Sequence, residues 1–245
     1  MTLQNLHEGT GYLLGYNLAP QEHAQICSWI RTQWEARIVS CHPEVREKIS
    51  SLSLEKYHHL EDDVDHPKLW PKTYRIFSPA QVEKLQEMSF FKKLQTDLGP
   101  LKIADIEGLG YPEVYWRLVR PNKGGDVAVP HADRWFYNIT NNIPQERQQR
   151  LYKFWLSIYT EAGQSGLAVQ AHSHKEEWKY GAEDRHGRPK PVFLDNPARL
   201  DLEGLPLHNG EGVVFHIDLI HKGLSHQGDH TRLSIELALE REITP

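Results

Sequence analysis

The spacing of apolar residues changes character once along this chain, and that change limits the folds open to it. Through the first hundred residues, apolar side chains recur at three- and four-residue steps; beyond Pro112 they alternate. Pro20 opens a predicted helix that reaches about Ile38 and carries Cys27, Ile30, Trp34 and Ile38 on one face. Ser78-Pro79-Ala80-Gln81 combines a capping serine, a proline at the first helical position and a glutamine three residues after the cap. A second helix is therefore expected to run to about Leu98 and stop at Gly99-Pro100. Val82, Leu85, Met88 (or Ser89) and Leu94 suit one that packs on a sheet.

Between Ser40 and Lys72 neither period holds. The stretch KYHHLEDDVDHPKLWPK is charged and contains two prolines, so it reads as a solvated excursion, with a substrate-covering flap as the alternative. Its His58, His59 and His66 are not read as a metal site.

Strands dominate the remainder, after a short first one over Gly11 to Asn17. Glu113 to Arg120 alternates, with Val114, Trp116 and Leu118 on one face and Tyr115, Arg117 and Val119 on the other. Tyr152 to Thr160 and Leu167 to Ala171 flank the turn-forming AGQSG; Pro191 to Leu194, Val213 to Ile217 and Thr231 to Glu240 complete the set. Helices first and short strands afterwards predict an α+β chain: a jelly roll, or double-stranded β-helix, buttressed by N-terminal helices. One domain over 1–245 is expected, its buttress mainly 18–100 and its strand core mainly 111–241.

Composition narrows the function. A formal net charge of −5 disfavours non-specific nucleic-acid binding, which needs a basic surface. Cys27 and Cys41 have neither the number nor the spacing of a zinc site or disulfide framework. No leader-like N-terminus and no bilayer-length apolar run is visible, so a cytoplasmic protein with no membrane partner is expected. Fifteen histidines raise the odds of a metal site, and equally of metal-like spacings that mean nothing.

His131-Ala132-Asp133 places an imidazole and a carboxylate on one side of an extended chain, and His221 returns on a later strand. Two imidazoles and one carboxylate on one face of iron(II) leave three positions for co-substrate and O₂, the arrangement of non-haem iron oxygenases. Two competitors exist. His216-Ile217-Asp218 repeats the spacing without a third ligand and an anion site after it, so His216 reads as a packed strand histidine. His172-Ser173-His174 resembles the opening of a cupin metal motif, but Trp178 and Lys179 stand where its glutamate should. Eleven positions after His221 comes Arg232, and period-two parity puts Arg232, Ser234 and Glu236 on one face, opposite Leu233, Ile235, Leu237 and Leu239. A buried arginine facing the barrel interior suits a carboxylate.

The segments GYLLGYNLAPQEHAQICSWI, PHADRWFYN, FWLSIYTEAGQSGLAVQAHSHK and GEGVVFHIDLIHKGLSHQGDHTRLSIEL together resemble the phytanoyl-CoA dioxygenase-like branch of the Fe(II)/2-oxoglutarate oxygenases. The resemblance implies iron(II) on His131, Asp133 and His221, with His221 preferred to His216. It implies the distal carboxylate of 2-oxoglutarate on Arg232 and Ser234, Trp155 near the co-substrate, and Arg117 or Tyr115 at its other carboxylate or at the substrate. The implied activity is hydroxylation of a small polar metabolite using O₂, with release of succinate and CO₂; Asp133 disfavours halogenation. Arg134, Trp135, Tyr137, Arg185 and Arg188 are candidate substrate contacts. The chain departs from the family in its small Ala132 and in the long block from Asp133 to Leu151. A non-catalytic sugar-binding jelly roll and a cupin-type enzyme using His172 and His174 remain alternatives.

Overall fold

The computed structural model describes residues 2–185 and 187–242; Met1, His186 and 243–245 of the expected 1–245 span lie outside the described residues. The chain opens with α1 (Leu3–Glu8), held by reciprocal capping between Thr2 and Asn5, and β1 (Tyr12–Asn17). In α2 (Pro20–Cys41), Pro20 takes the first turn and Ile26, Trp29, Ile30, Trp34 and Ile38 are buried. Cys27 sits at the edge of that face and is only partly buried.

The segment after α2 is not a solvated excursion. It folds as α3 (Arg46–Ser51), a 3₁₀ turn over Leu54–Leu60 and α4 (His66–Leu69). Leu54, Tyr57, Leu60, Val64, Leu69 and Trp70 all enter the main core. Helices this short show no sustained period, which is why the sequence hides them. Arginines of α2 satisfy their ends: Arg31 donates to the carbonyls of Ile49 and Leu52, Arg37 to those of Lys68 and Leu69. The same segment meets the last strand, for Thr231 donates its N–H to the Glu55 carbonyl at 2.6 Å and accepts the His58 N–H on its hydroxyl at 3.0 Å.

The second expected helix is two. The Ser78–Gln81 capping box opens α5 (Pro79–Gln86), but Met88 is extended (φ −72°, ψ 157°) and α6 (Ser89–Leu98) begins anew. Glu22 of α2 meets the start of α6. Its carboxylate caps α2 by accepting the Ala19 N–H at 2.9 Å, and also accepts the Ser89 N–H at 2.6 Å and hydroxyl at 2.5 Å. The restart turns Phe90, Phe91, Leu94 and Leu98 inward.

The remaining elements are β2 (Leu101–Ile103), β3 (Val114–Val119), α7 (Asp133–Phe136), α8 (Gln145–Gln148), β4 (Leu151–Tyr159) and β5 (Leu167–Val169). They continue with β6 (Tyr180–Asp184), β7 (Pro189–Phe193), β8 (Glu203–Gly204), β9 (Glu211–His216), β10 (His221–Gly223) and β11 (Arg232–Arg241). A six-stranded sheet runs β1-β9-β4-β11-β2, with β3 also on β11; β10-β5-β8 form a smaller sheet and β6–β7 a hairpin. The large sheet thus recruits β1 and β2 from outside the expected 111–241 core.

Trp155, Val213 and Phe215 of the large sheet pack with Leu167, Val169, Leu205 and Leu207 of the smaller side, which fills one end of the space between the sheets. On its other face Phe154, Leu156, Leu233, Ile235, Leu237 and Leu239 bury against the helices. This is the buttressed α+β jelly roll. The parity of β11 therefore leaves Arg232, Ser234 and Glu236 facing between the sheets.

Candidate active site

His131 and His221 face each other across an isolated bridge, exchanging backbone hydrogen bonds of 3.1 and 2.9 Å. Asp133 is not on a strand with His131, as expected, but is the first residue of α7. Ala132 between them is extended (φ −110°, ψ 143°), so the two flanking side chains still leave on one side. Ala132 is buried against Trp135 and Ile220, which accounts for its small size.

One nitrogen of each imidazole and one oxygen of Asp133 lie within 4.8 Å of one another, and this is the one such group of three among the described residues. His221 Nε2 stands 3.7 Å from Asp133 Oδ2, and the two imidazole centroids are 4.4 Å apart. A carbonyl oxygen can only accept, so His131 Nδ1 donates to Val129 at 2.7 Å and His221 Nδ1 to Leu219 at 3.0 Å. That fixes the tautomers and leaves both Nε2 lone pairs free.

Burial and the neighbouring His221 push the His131 pKa down to about 4, so the ring is neutral. Burial opposes ionisation of Asp133, but Lys153, His221 and His131 outweigh it and hold the carboxyl below its ordinary range. Asp133 Oδ2 is nevertheless buried without a hydrogen-bond partner. A buried carboxylate oxygen beside two imidazole lone pairs is costly alone and well matched to a divalent cation. The donor set fits iron(II).

Arg232 is 3% exposed, and it donates a hydrogen bond to the Gly166 carbonyl. Its Nε and the Ser234 hydroxyl are buried without partners. Burial pushes the Arg232 pKa down to about 10, which still leaves a cation at neutral pH. The Trp155 ring centroid is 5.9 Å from the guanidinium carbon. Gly223 makes room for it: a Cβ there would fall 3.0 Å from Arg232 Nη1. An enclosed guanidinium with donors to spare fits a carboxylate such as that of 2-oxoglutarate.

A cavity of about 250 Å³ joins the His131, Asp133 and His221 group to Arg232, with Trp155, Tyr115 and Arg117 also on its wall; Ser234 is not on that wall. Arg117 already pairs with Glu236 at 2.9 Å. Tyr115 lies 4.0 Å beneath the Lys72 ammonium and donates its hydroxyl to Glu113 at 3.4 Å.

Of Arg134, Trp135, Tyr137, Arg185 and Arg188, Tyr137 alone lines the cavity. Arg134 is taken by Asp218 and Gln148, Trp135 stacks on Tyr180 at 4.8 Å, Arg185 is exposed beside Glu183, and Arg188 is exposed. The cupin-like pair also lies elsewhere. His172, exposed at φ 67°, bonds to the Gly9 carbonyl, and His174 bonds to that of His7, so both fasten α1 to the barrel. His216 packs between the rings of His7 and His174.

Sequence reasoning missed several cavity residues, Lys153, Lys190 and Phe136 among them. Lys153 Nζ is 3.5 Å from Asp133 Oδ1, Lys190 Nζ is 5.7 Å from the Phe136 ring centroid, and Phe136 meets His131 edge-on at 5.2 Å. Lys153 was findable, because it shares a strand face with Trp155.

Comparison with known proteins agrees with this architecture. EctD from S. alaskensis with bound Fe superposes with a TM-score of 0.61 at 13% identity, covering 98% of this chain and 77% of that one. The apo form of ThoJ, described as a non-heme monooxygenase, gives 0.57 at 13% identity over 95% and 74%. The epimerase SnoN, solved with Fe3+, alpha ketoglutarate and nogalamycin RO, gives 0.53 at 16% identity over 98% and 82%. No curated protein matches the sequence significantly. The family model for phytanoyl-CoA dioxygenase (PhyH) matches residues 11–234, and the chain belongs to that family.

Proposed function

We propose that this protein is a non-haem Fe(II)- and 2-oxoglutarate-dependent dioxygenase that hydroxylates a small polar metabolite. Family membership supports a dioxygenase-type enzyme. The observation that carries the reading is the unpartnered Asp133 Oδ2 beside two imidazoles locked as Nε2 donors, joined by one cavity to a buried Arg232 whose Nε has no partner. Neighbouring structures titled with iron and with 2-oxoglutarate support the same cofactors.

In this reading His131, Asp133 and His221 hold iron(II), and the carbonyls of Val129 and Leu219 keep the imidazoles in their ligating tautomer. Arg232 and Ser234 receive the distal carboxylate of 2-oxoglutarate against Trp155, while Arg117 and Tyr115 border the cavity where the reacting end and the substrate would lie. When bound, the metal and co-substrate supply the oxygen chemistry: R–H, O₂ and 2-oxoglutarate give R–OH, succinate and CO₂. The protein supplies ligation, orientation and an enclosed cavity. SnoN is an epimerase, so the fold admits other endings; hydroxylation is the ending we propose here.

The test is succinate formation by purified protein with iron(II), 2-oxoglutarate and a metabolite pool, alongside the visible charge-transfer band expected of anaerobic iron(II) with 2-oxoglutarate. Asp133→Ala and His131→Ala should lose both signals. Undiminished turnover in either variant would sink the assignment.

A further inference from the structure

We propose that the substrate is a small organic acid whose carboxylate is received by Lys190, with Lys153 as the second cation beside the metal ligands; this rests on the iron and 2-oxoglutarate reading above. Among the described residues, six cationic side chains line the cavity against four carboxylates. Three cations already have an acid: Lys72 with Glu107 at 2.6 Å, Arg117 with Glu236 at 2.9 Å, and Lys153 with Asp133 at 3.5 Å. Glu113, the fourth acid, accepts the backbone N–H groups of Ile106 and Glu107. Arg75 donates to the carbonyls of Trp70 and Trp116, and Arg232 is set for the co-substrate.

Lys190 is left. It is half-buried on β7, and the nearby Glu107 is held by Lys72. Iron(II) and doubly charged 2-oxoglutarate cancel, so the loaded cavity would keep an excess of two positive charges. Asp133, once it ligates a metal, shares its charge with that metal and leaves Lys153 less neutralised. A partly enclosed positive surplus of this kind is stabilised by an anion.

Position points the same way. Thr140 donates its hydroxyl to the Pro189 carbonyl at 2.9 Å, which holds β7 against the turn that follows α7. Lys190 lies over Phe136, and Phe136 touches His131. A carboxylate on Lys190 would therefore lay its carbon skeleton across the Phe136 ring, towards the metal ligands. The cavity, about 250 Å³, falls below the ~300–1,000 Å³ usual for drug-sized ligands and must also admit 2-oxoglutarate. The enclosed substrate is accordingly small.

The test uses the full chain loaded with iron(II) and 2-oxoglutarate. A panel of short aliphatic, amino and aromatic carboxylic acids, each with its primary amide, is screened for stimulated succinate formation. At least one acid should stimulate, with its amide at least about 10-fold weaker. Lys190→Glu should raise the KM of that acid by about 10- to 100-fold, with Lys190→Arg largely restoring it. Arg185→Glu on the exposed tip of the same hairpin should leave the KM unchanged. As a readout apart from turnover, the acid should perturb the anaerobic visible band in the wild type and do so less in Lys190→Glu. Amides as effective as acids, no stimulating acid, or a wild-type KM in Lys190→Glu would overturn the proposal. Absence of both the band and any succinate formation would overturn the parent reading, and this one with it.

Discussion

Replacing Arg232 with methionine should separate ligand binding from folding. In the ligand-free protein the guanidinium is buried, and burial is the first cause that pushes its pKa from 12.5 to about 10. At about 1.4 kcal/mol per unit, the folded state bears a cost on the order of 3 kcal/mol from holding this cation. The sign follows from linkage: a base depressed on folding destabilises at every pH below its folded pKa and is relieved only above about 10. Methionine removes that cost and fills much of the same channel, while the Gly166 carbonyl loses a charge-assisted bond of about 1.5–3 kcal/mol and keeps the Leu224 N–H at 3.0 Å. Ligand-free stability should thus stay level or rise by up to ~2 kcal/mol, equivalent to a few degrees in Tm. Co-substrate affinity should collapse. Two charge-assisted hydrogen bonds at about 1.5–3 kcal/mol each correspond to roughly 10²- to 10⁴-fold. Thermal melts with iron(II) under argon provide the assay: 2-oxoglutarate should raise the wild-type Tm with concentration and leave Arg232→Met unmoved. A ligand-free loss above about 2 kcal/mol would refute the picture of a cation awaiting its anion, as would a retained Tm response.

Gly223→Ala crowds the Arg232 guanidinium from the backbone side, so the KM for 2-oxoglutarate should rise about 10-fold with Arg232 still present; an unchanged KM would place the guanidinium elsewhere. Glu22→Ala removes the carboxylate shared by the starts of α2 and α6 and should cost about 1–3 kcal/mol in urea unfolding; a loss below about 0.5 kcal/mol would mean the two helices do not depend on it. Burial pushes the pKa values of His66 and His216 down to about 4, so the unfolded chain takes up protons first. Stability should be complete above about pH 6.5 and fall towards pH 4, by about 1.4 kcal/mol per pH unit for each ring. His216→Gln should flatten that slope by one proton, and a flat wild-type profile across the window would contradict it.

Much of the barrel was legible because period-two patterning survives into the structure. β11 faces as its parity required, leucines on the helices and Arg232 between the sheets. The candidate His131, Asp133 and His221 group was legible as types and spacing, and the three do come together, although α7 rather than a strand presents Asp133. What stayed hidden has common causes. The turns from Val45 to Trp70 are too short to show a period, yet they bury a full set of apolar side chains. The restart after Met88 is capped by Glu22, more than sixty residues earlier in the chain, which no local window contains. Charged residues after Ala132 looked like substrate contacts, but Arg134 had an intramolecular partner in Asp218. Lys190 joins the cavity only through the packing of a hairpin whose position no local pattern announces.

The bond between Thr231 and the 3₁₀ turn has a kinetic consequence. Thr231 immediately precedes Arg232, and its hydroxyl partner His58 is 173 residues away. Contacts of such span raise contact order and slow folding, because the intervening chain must close before they form. During synthesis the turn emerges early and can pack Tyr57 against Trp34 of α2, but its bond to Thr231 must wait until the last strand has followed. The guanidinium pocket is then among the last parts of the molecule to acquire its shape. Substitutions at Leu54, Tyr57 or Leu60, none of which line the cavity, should therefore appear first as poor recovery of co-substrate-binding protein after refolding.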